Sequence, residues 1–309
     1  MSALCLVALL KLMTLMDVKS GQEYSYSMTK SSHKVLIGIP TYEGHAFCRE
    51  EFIENTVALA GSDHDVLVIW NGEGDPSKIF PANWKTQVIK QSSKENGLDV
   101  LIRKHTIMSK RTVSGGYSHL FLLESDVFPP TDTIDKLLAH DVDMVAAIYL
   151  IRFEDHMVLN IPDNEMYKKK YDGTLAGKTI LAVRDQTAPV IWGLENEEMR
   201  FWEIEDMMNQ RGLVRIFATG VGSSLIKRKV LDEIKWRKPP EEMGHHCDDF
   251  PFYYDAYHKG FELFADTNIL CQHRHNYSED GDFHETKQKW FSVDGVEDLG
   301  QRDAGHVFG

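Results

Sequence analysis

Glu124-Ser125-Asp126 sets two carboxylates two residues apart. Hard divalent cations take carboxylate oxygens, and Mg²⁺ typically binds one or two of them together with substrate phosphates. The motif follows Leu120 to Leu123, an apolar run too short for a helix and suited to a strand buried on both faces. Pro129-Pro130 stops that strand. The acids therefore stand at the carboxyl end of a central strand, where open α/β sheets bind ligands. An Asp or Glu there can hold a cation against a diphosphate. The bland alternative is an acidic loop with no metal.

Two more clusters carry chemistry-bearing types. Asp248-Asp249 opens a helical stretch from Phe250 to Lys259, stopped by Gly260. Acids in a first turn suit the helix dipole, so an N-cap role competes with a catalytic one. His245, His246, Cys247, Cys271, His273 and His275 form two short runs of zinc-type ligands. No Cys-x₂-Cys or His-x₃-His spacing singles out four of them. A non-catalytic zinc-binding or interaction module is therefore the alternative from a different class. Tightly retained zinc would favour it, and exchangeable Mn²⁺ or Mg²⁺ would not.

These groups need a scaffold, and the chain supplies strands alternating with helices. Lys34 to Pro40 and Asp65 to Trp70 read as β-rich runs, with Asn71 to Asp75 a turn by composition. Phe47 to Ala60 has helical periodicity, Asn83 to Lys90 holds a short strand, and a helix runs from Asn96 to about Thr112. Asp132 to His140 is a helix and Met144 to Ile151 a buried strand. Arg152 to about Glu205 is less regular, with Lys168 to Lys170 read as a solvated turn. Trp192 and Trp202 are core residues or the lining of an acceptor pocket. Val214 to Thr219 enters Gly220-Val221-Gly222, whose small residues permit close backbone approach. Phe261 to Ala265 is a short strand, and the polar tail from Asn276 is ordered, in part, by docking. The alternation argues an α/β fold with a mostly parallel sheet flanked by helices.

The totals agree with that class. A chain of 309 residues, 42% hydrophobic and 26% charged, suits one large α/β domain with elaborations, or two small domains. Its net charge of -13 argues against a nucleic-acid-binding surface over the whole protein. Cys5, Cys48, Cys247 and Cys271 lack framework spacing and read as reduced thiols, hence a cytoplasmic expectation. Ala3 to Leu10 is too short to span a bilayer, so no transmembrane segment is expected. Residues 1–33 are read as a dispensable extension, with a signal or membrane-contacting helix as the alternative.

The motifs fall in a familiar order. Pro40-Thr41-Tyr42-Glu43 follows the first strand and Asn71 to Asp75 the second; Glu124 to Asp126 ends the central strand. Thr219-Gly220, Asp248-Asp249 and then His273 and His275 come after. Over about residues 34–275 this resembles the GT-A glycosyltransferases, nearest to the large inverting family-two type. The resemblance implies a Rossmann-like GT-A domain at 34–275, with a nucleotide-sugar half at about 34–130 and an acceptor and catalytic half at 131–275. Residues 276–309 form a tail. It implies nucleotide contacts from Pro40, Thr41, Tyr42, Glu43, Asn71 and Asp75. Glu124 and Asp126 correspond to the DxD motif around Ser125, with Asp126 the stronger ligand for Mn²⁺ or Mg²⁺. His273 or His275 completes the shell, Gly220 lies under a sugar, and Asp249 is the general base, with Asp248 its neighbour.

The implied reaction moves a sugar, a hexose by family habit, from a nucleotide-diphosphate donor, UDP- or GDP-linked, to an acceptor hydroxyl. A carboxylate that takes the acceptor proton contributes about 10²–10⁴-fold. Four departures stand out. Trp70 occupies the position before Asn71 where the family has Asp, and Asp75 is the substitute. The metal motif starts with Glu. The Arg-Asn pair before the central strand has only Arg103 and Arg111 as candidates. The acidic-aromatic acceptor motif after the base is absent. A retaining GT-A transferase shares the metal motif and stays open, as does the acceptor: sugar, lipid, protein, small molecule or modified nucleobase.

Overall fold

The computed structural model describes residues 34–160, 163, 165–170, 179–195, 198–240, 247–274, 287–292 and 298–303. In chain order its elements are β1 (Val35–Thr41), a 3-10 turn (Glu43–Cys48), α1 (Arg49–Ala60), β2 (Asp65–Trp70), β3 (Lys85–Val88), α2 (Gly97–Ser114), β4 (His119–Leu123) and β5 (Val127–Phe128). Next come α3 (Thr133–Ala139), β6 (Met144–Ile148), β7 (Leu150–Asn160), α4 (Glu165–Lys170), β8 (Thr179–Pro189), β9 (Ile191–Glu195), β10 (Glu198–Phe201) and α5 (Ile204–Asn209). The rest are β11 (Leu213–Arg215), β12 (Ala218–Thr219), β13 (Ser223–Lys227), α6 (Arg228–Glu233), α7 (Asp249–His258), β14 (Leu263–Leu270), β15 (Gln272–His273), β16 (Lys287–Ser292) and β17 (Asp298–Asp303).

The main sheet has eight strands in the order β11-β14-β6-β13-β4-β1-β2-β3. Pairings β1/β2, β1/β4, β2/β3 and β6/β14 are parallel; β13 runs antiparallel to both β4 and β6, and β11 to β14. Successive side chains of a strand point to opposite faces. Leu36, Leu67, Leu120 and Leu122 accordingly join one core with residues of α2, α6 and α7. Val35, Ile37, Val66, Phe121 and Leu123 join the other with residues of α1 and α3. The fold is α/β, a mostly parallel sheet flanked by helices. Leu120 to Leu123 are each at most 1% exposed, and such side chains contribute about 1.5–3 kcal/mol apiece when buried.

Local chemistry explains the element ends. Asn96 and Asp99 form a capping box at α2, with Asp99 N–H donating to Asn96 Oδ1 at 2.9 Å and Asn96 N–H to Asp99 Oδ2 at 3.2 Å. Contacts divide the chain into two compact units, residues 30–151 with 188–276 and the remainder. The first carries the eight-stranded sheet. The second carries a four-stranded sheet ordered β17-β16-β8-β7. Thus the stretch from Arg152, expected to be irregular, holds two strands of eleven residues, and the expected docking tail contributes β16 and β17. Lys168 to Lys170 close a short helix rather than a turn, with Lys168 and Lys169 exposed. No helix among the described residues is long and apolar enough to cross a membrane.

Candidate active site

The strand order reverses beside β1. The chain moves outward from β1 through β2 and β3, then returns on the other side of β1 as β4. A crevice opens beyond the carboxyl ends of strands at such a point. Thr41 ends β1 and Ser125 follows β4. Ser125 Oγ donates to Thr41 Oγ1 at 2.7 Å, so the two loops meet there. Both residues are buried. Lys104 of α2 reaches the same place and donates to the Thr41 carbonyl at 2.8 Å. Burial pulls its ammonium down to about 8. Pro40 stays within the strand, opposite Ile69. Tyr42 is exposed with its ring 5.9 Å from Lys104 Nζ, and Glu43 accepts from Arg49 Nη2 at 3.1 Å.

Asp126 lies between two imidazoles. His273 Nε2 is 3.4 Å and His45 Nε2 3.5 Å from Asp126 Oδ2. Charge-assisted N–H···O bonds run near 2.7–2.9 Å, so both contacts are loose. Each ring is oriented from its other nitrogen. His273 Nδ1 donates to the Leu150 carbonyl at 3.1 Å. His45 Nδ1 donates to Ser125 Oγ, whose own proton goes to Thr41. Metal-binding histidines are held in this way, through a carbonyl or hydroxyl on the far nitrogen. Burial lowers the His45 pKa from its usual value, against the pull of Asp126. Asp126 Oδ1 is buried with no hydrogen-bond partner. Among the described residues no three His, Cys, Asp or Glu side chains are gathered into a metal-holding group. What Asp126 and His273 offer is a partial donor set, of the kind Mn²⁺ or Mg²⁺ completes with water and phosphate oxygens.

Glu124 and Asp126 differ in charge. Burial, then the charges of Asp126, Asp249 and Asp248, push the Glu124 carboxyl up to about 8. Burial works the same way on Asp126, but the hydrogen bond from His273 and the two imidazoles bring it below the usual carboxylate range. Asp126 is therefore the ionised member of the motif.

Gly220 and Gly222 lie opposite. A Cβ on Gly220 would stand 2.1 Å from the Tyr149 hydroxyl, and one on Gly222 would stand 2.6 Å from Glu124 Oε2 and 3.1 Å from that hydroxyl. Glycine is required here for side chains of this protein itself: the phenol of Tyr149 fills the space over Gly220. Its ring also meets His273 edge-on, 5.2 Å between centroids. Burial, then the charges of Glu124 and Asp249, keep the phenol protonated. Tyr149 thus stands among the carboxyl groups.

Asp249 begins α7. Its Oδ1 accepts from the Phe250 N–H at 2.8 Å, and it also accepts from the Cys247 thiol. Burial raises its pKa above the usual carboxylate value, and Asp248 adds to the effect. Asp248 occupies the N-cap position but makes no capping bond with its side chain. It turns instead to His105 of α2, 2.8 Å away and equally buried.

Other expected contacts divide. Asn71 follows β2, with its Oδ1 buried and unpartnered. Trp70 is wholly buried in the core shared with α1. Asp75 is exposed and caps a local turn, accepting from the Ser77 N–H at 3.0 Å and hydroxyl at 2.8 Å. Arg111 is exposed in the last turn of α2, about 10 Å along the helix from Lys104 at 1.5 Å per residue. Arg103 binds the Lys90 carbonyl at 2.6 Å. Lys104, between those two arginines in sequence, reaches the crevice where they do not. Trp202 is core, and Trp192 is half-buried. His275, His245 and His246 lie outside the described residues. Cys48, Cys247 and Cys271 are free thiols.

Four residues of this neighbourhood carried no motif: His45, Lys104, His105 and Tyr149. The one signal for Lys104 is periodicity, since Val100, Lys104 and Met108 share a buried face at four-residue spacing.

No family model matches the sequence, and no curated protein does. Among solved structures, the chain is similar to A197 from STIV at 12% identity and a TM-score of 0.39, over 88% of this chain and 95% of that one. GalNAc-T7, crystallised with UDP, GalNAc and Mn²⁺, is similar at 11% identity and a TM-score of 0.45, over 80% of this chain and 44% of that one. TarS 1-349 of S. aureus, in complex with UDP-GlcNAc, is similar at 10% identity and a TM-score of 0.42, over 82% and 62% respectively. The chain thus spans less than two thirds of the length of these last two.

Proposed function

We propose that this protein is a metal-dependent glycosyltransferase that moves a sugar, a hexose in the first instance, from a nucleotide-diphosphate donor to an acceptor hydroxyl with inversion. One observation carries the reading. Where the strand order reverses, Asp126 stands beside an oriented imidazole, and Asp249, a buried acid on another element, acts together with it on Glu124 and Tyr149. A group-transfer site needs this separation of duties, one acid for the leaving group and one for the nucleophile.

Asp126 and His273 would hold Mn²⁺ or Mg²⁺. When bound, the cation neutralises charge developing on the departing diphosphate. The remaining work belongs to the chain. Thr41 and Tyr42 line the donor's nucleotide, with the unpartnered Asn71 Oδ1 available to a donor N–H. Lys104 fixes the Thr41 carbonyl and adds positive potential beside a diphosphate. Tyr149, protonated and flanked by Glu124, offers a hydroxyl to the sugar. Asp249 takes the acceptor proton. Its raised pKa makes it a better base once ionised, and catalytic bases work best near the operating pH. The free thiols suit a reducing, cytoplasmic setting.

The test is a panel of UDP- and GDP-sugars incubated with the protein in Mn²⁺, followed by release of free nucleotide and by the anomer of any product. Mn²⁺-dependent UDP binding with turnover of at least one donor is expected. Absence of both binding and turnover across the panel overturns the reading, and a retained anomer removes the inverting role of Asp249.

A further inference from the structure

The pair His105–Asp248 takes no part in the chemistry above, yet it is built at some cost. His105 Nδ1 donates to Asp248 Oδ2 at 2.8 Å, and each side chain is only 1% exposed. His105 Nε2 and Asp248 Oδ1 are left buried without partners. A pair kept only for stability gains nothing from two such orphan atoms, because unsatisfied buried polar groups destabilise. The carboxylate also leaves the end of its own helix unserved, since at the N-cap of α7 it makes no capping bond. The neighbours reinforce the link. Trp236 packs between the His105 ring at 4.5 Å and Phe252 of α7 at 3.9 Å, and its Nε1 donates to Ser109 Oγ of α2 at 2.8 Å.

We propose that His105 is a positioning residue: through Asp248 it fixes the first turn of α7 and so aims the Asp249 carboxylate. The inference rests on the reading of Asp249 as the base. The preceding residue, Lys104, grips Thr41 at the donor end of the crevice. Two consecutive residues of α2 therefore hold the nucleotide loop and the base helix, and the spacing between donor and base is set by neighbouring positions of one helix.

Two substitutions of similar size separate geometry from bulk. The amide N–H of His105→Asn falls where Nδ1 was and can still donate to Asp248. That of His105→Gln falls where Nε2 was and cannot. Hydrogen exchange of the backbone amides of Asp249, Phe250, Phe252 and Tyr253, proline standing at 251, reads the first turn directly, and Mn²⁺-dependent hydrolysis of UDP-glucose, or the best donor of the panel, reads the base. His105→Gln is expected to speed exchange and to lower kcat at least about 10-fold, with the affinity for UDP in Mn²⁺ unchanged. His105→Asn should match wild type in all three. Equal behaviour of the two variants, in exchange or in kcat, overturns the proposal. If His105→Gln does not fold, Asp248→Ala removes the same contact from the helix side and carries the same expectation. Asp249→Asn is run beside them. Wild-type hydrolysis by that variant would remove the base assignment, while the exchange data would still decide whether His105 holds α7.

Discussion

Two histidine–aspartate pairs occupy one end of this sheet, and they are built in opposite ways. His105–Asp248 is short, at 2.8 Å, and sealed from solvent at 1% exposure on either side. His273–Asp126 is long, at 3.4 Å, with 11% and 18% exposure, and a second imidazole waits at 3.5 Å. A short sealed contact leaves nothing for a ligand and holds two helices together. A long, partly exposed one leaves room for something between the groups. On the proposed reading the same residue types serve as a clamp in one place and a binding site in the other, and length and exposure tell them apart.

The sharpest break in this comparison comes from the aspartates. Asp126→Ala should remove Mn²⁺-dependent UDP binding in a titration while the thermal unfolding midpoint stays near wild type. Undiminished UDP affinity in Mn²⁺ would show that Asp126 is not the cation's carboxylate. The histidines come next and should split by observable. His105→Ala should cost about 3–5 kcal/mol in urea unfolding, the range for one partner of a buried pair. His273→Ala should cost less, about 1–2 kcal/mol for a half-buried ring with one neutral hydrogen bond, yet weaken Mn²⁺ at least about 10-fold, since even residues that merely support metal ligands have effects of that size. Comparable stability losses in the two variants would erase the distinction between clamp and site.

Asp249→Asn follows, with transfer or donor hydrolysis reduced at least about 10²-fold and donor affinity retained. The smallest expected effect is on pH dependence. As the proposed base, Asp249 would act when ionised, so the rate should rise as pH climbs through a value raised above that of an ordinary carboxylate by burial and by Asp248. Asp248→Asn takes away the neighbouring negative charge. The acidic limb of the pH–rate profile should then move to lower pH; an upward move would mean that the limb belongs to another group.

The sheet was largely legible from residue order. Val35 to Thr41, Asp65 to Trp70 and His119 to Leu123 are apolar runs buried on both faces, and such runs announce themselves without their neighbours. β7 and β8 did not. They are rich in charged and polar residues, and β8 finds its partner β16 only beyond residue 286, a pairing no local pattern contains. The candidate site divides along the same line. Asp126 and Asp249 stand at element ends, where position alone suggests a role. His45, Lys104, His105 and Tyr149 acquire theirs only from what folding brings beside them. Lys104 falls within the stretch expected as a helix, with no sign there of its carbonyl partner, and Tyr149 falls within the strand expected from Met144 to Ile151.

The two-residue ladder between β5 and β15 has a consequence for how this protein can vary. His273 pairs with Val127 and Gln272 with Phe128 in an antiparallel register. Asp126 and His273 are thereby tied through main-chain bonds, although their segments lie far apart in the chain. Side chains alternate along a strand, so a one-residue slip swaps the face of everything in it. A single deletion between Leu270 and His273 would present Arg274 where the imidazole now stands. Drift in composition around this ladder is tolerable, whereas drift in its length is not. Relatives of this protein that keep the activity should differ freely in the loops on either side and agree, to the residue, in the count from the end of β14 to the histidine.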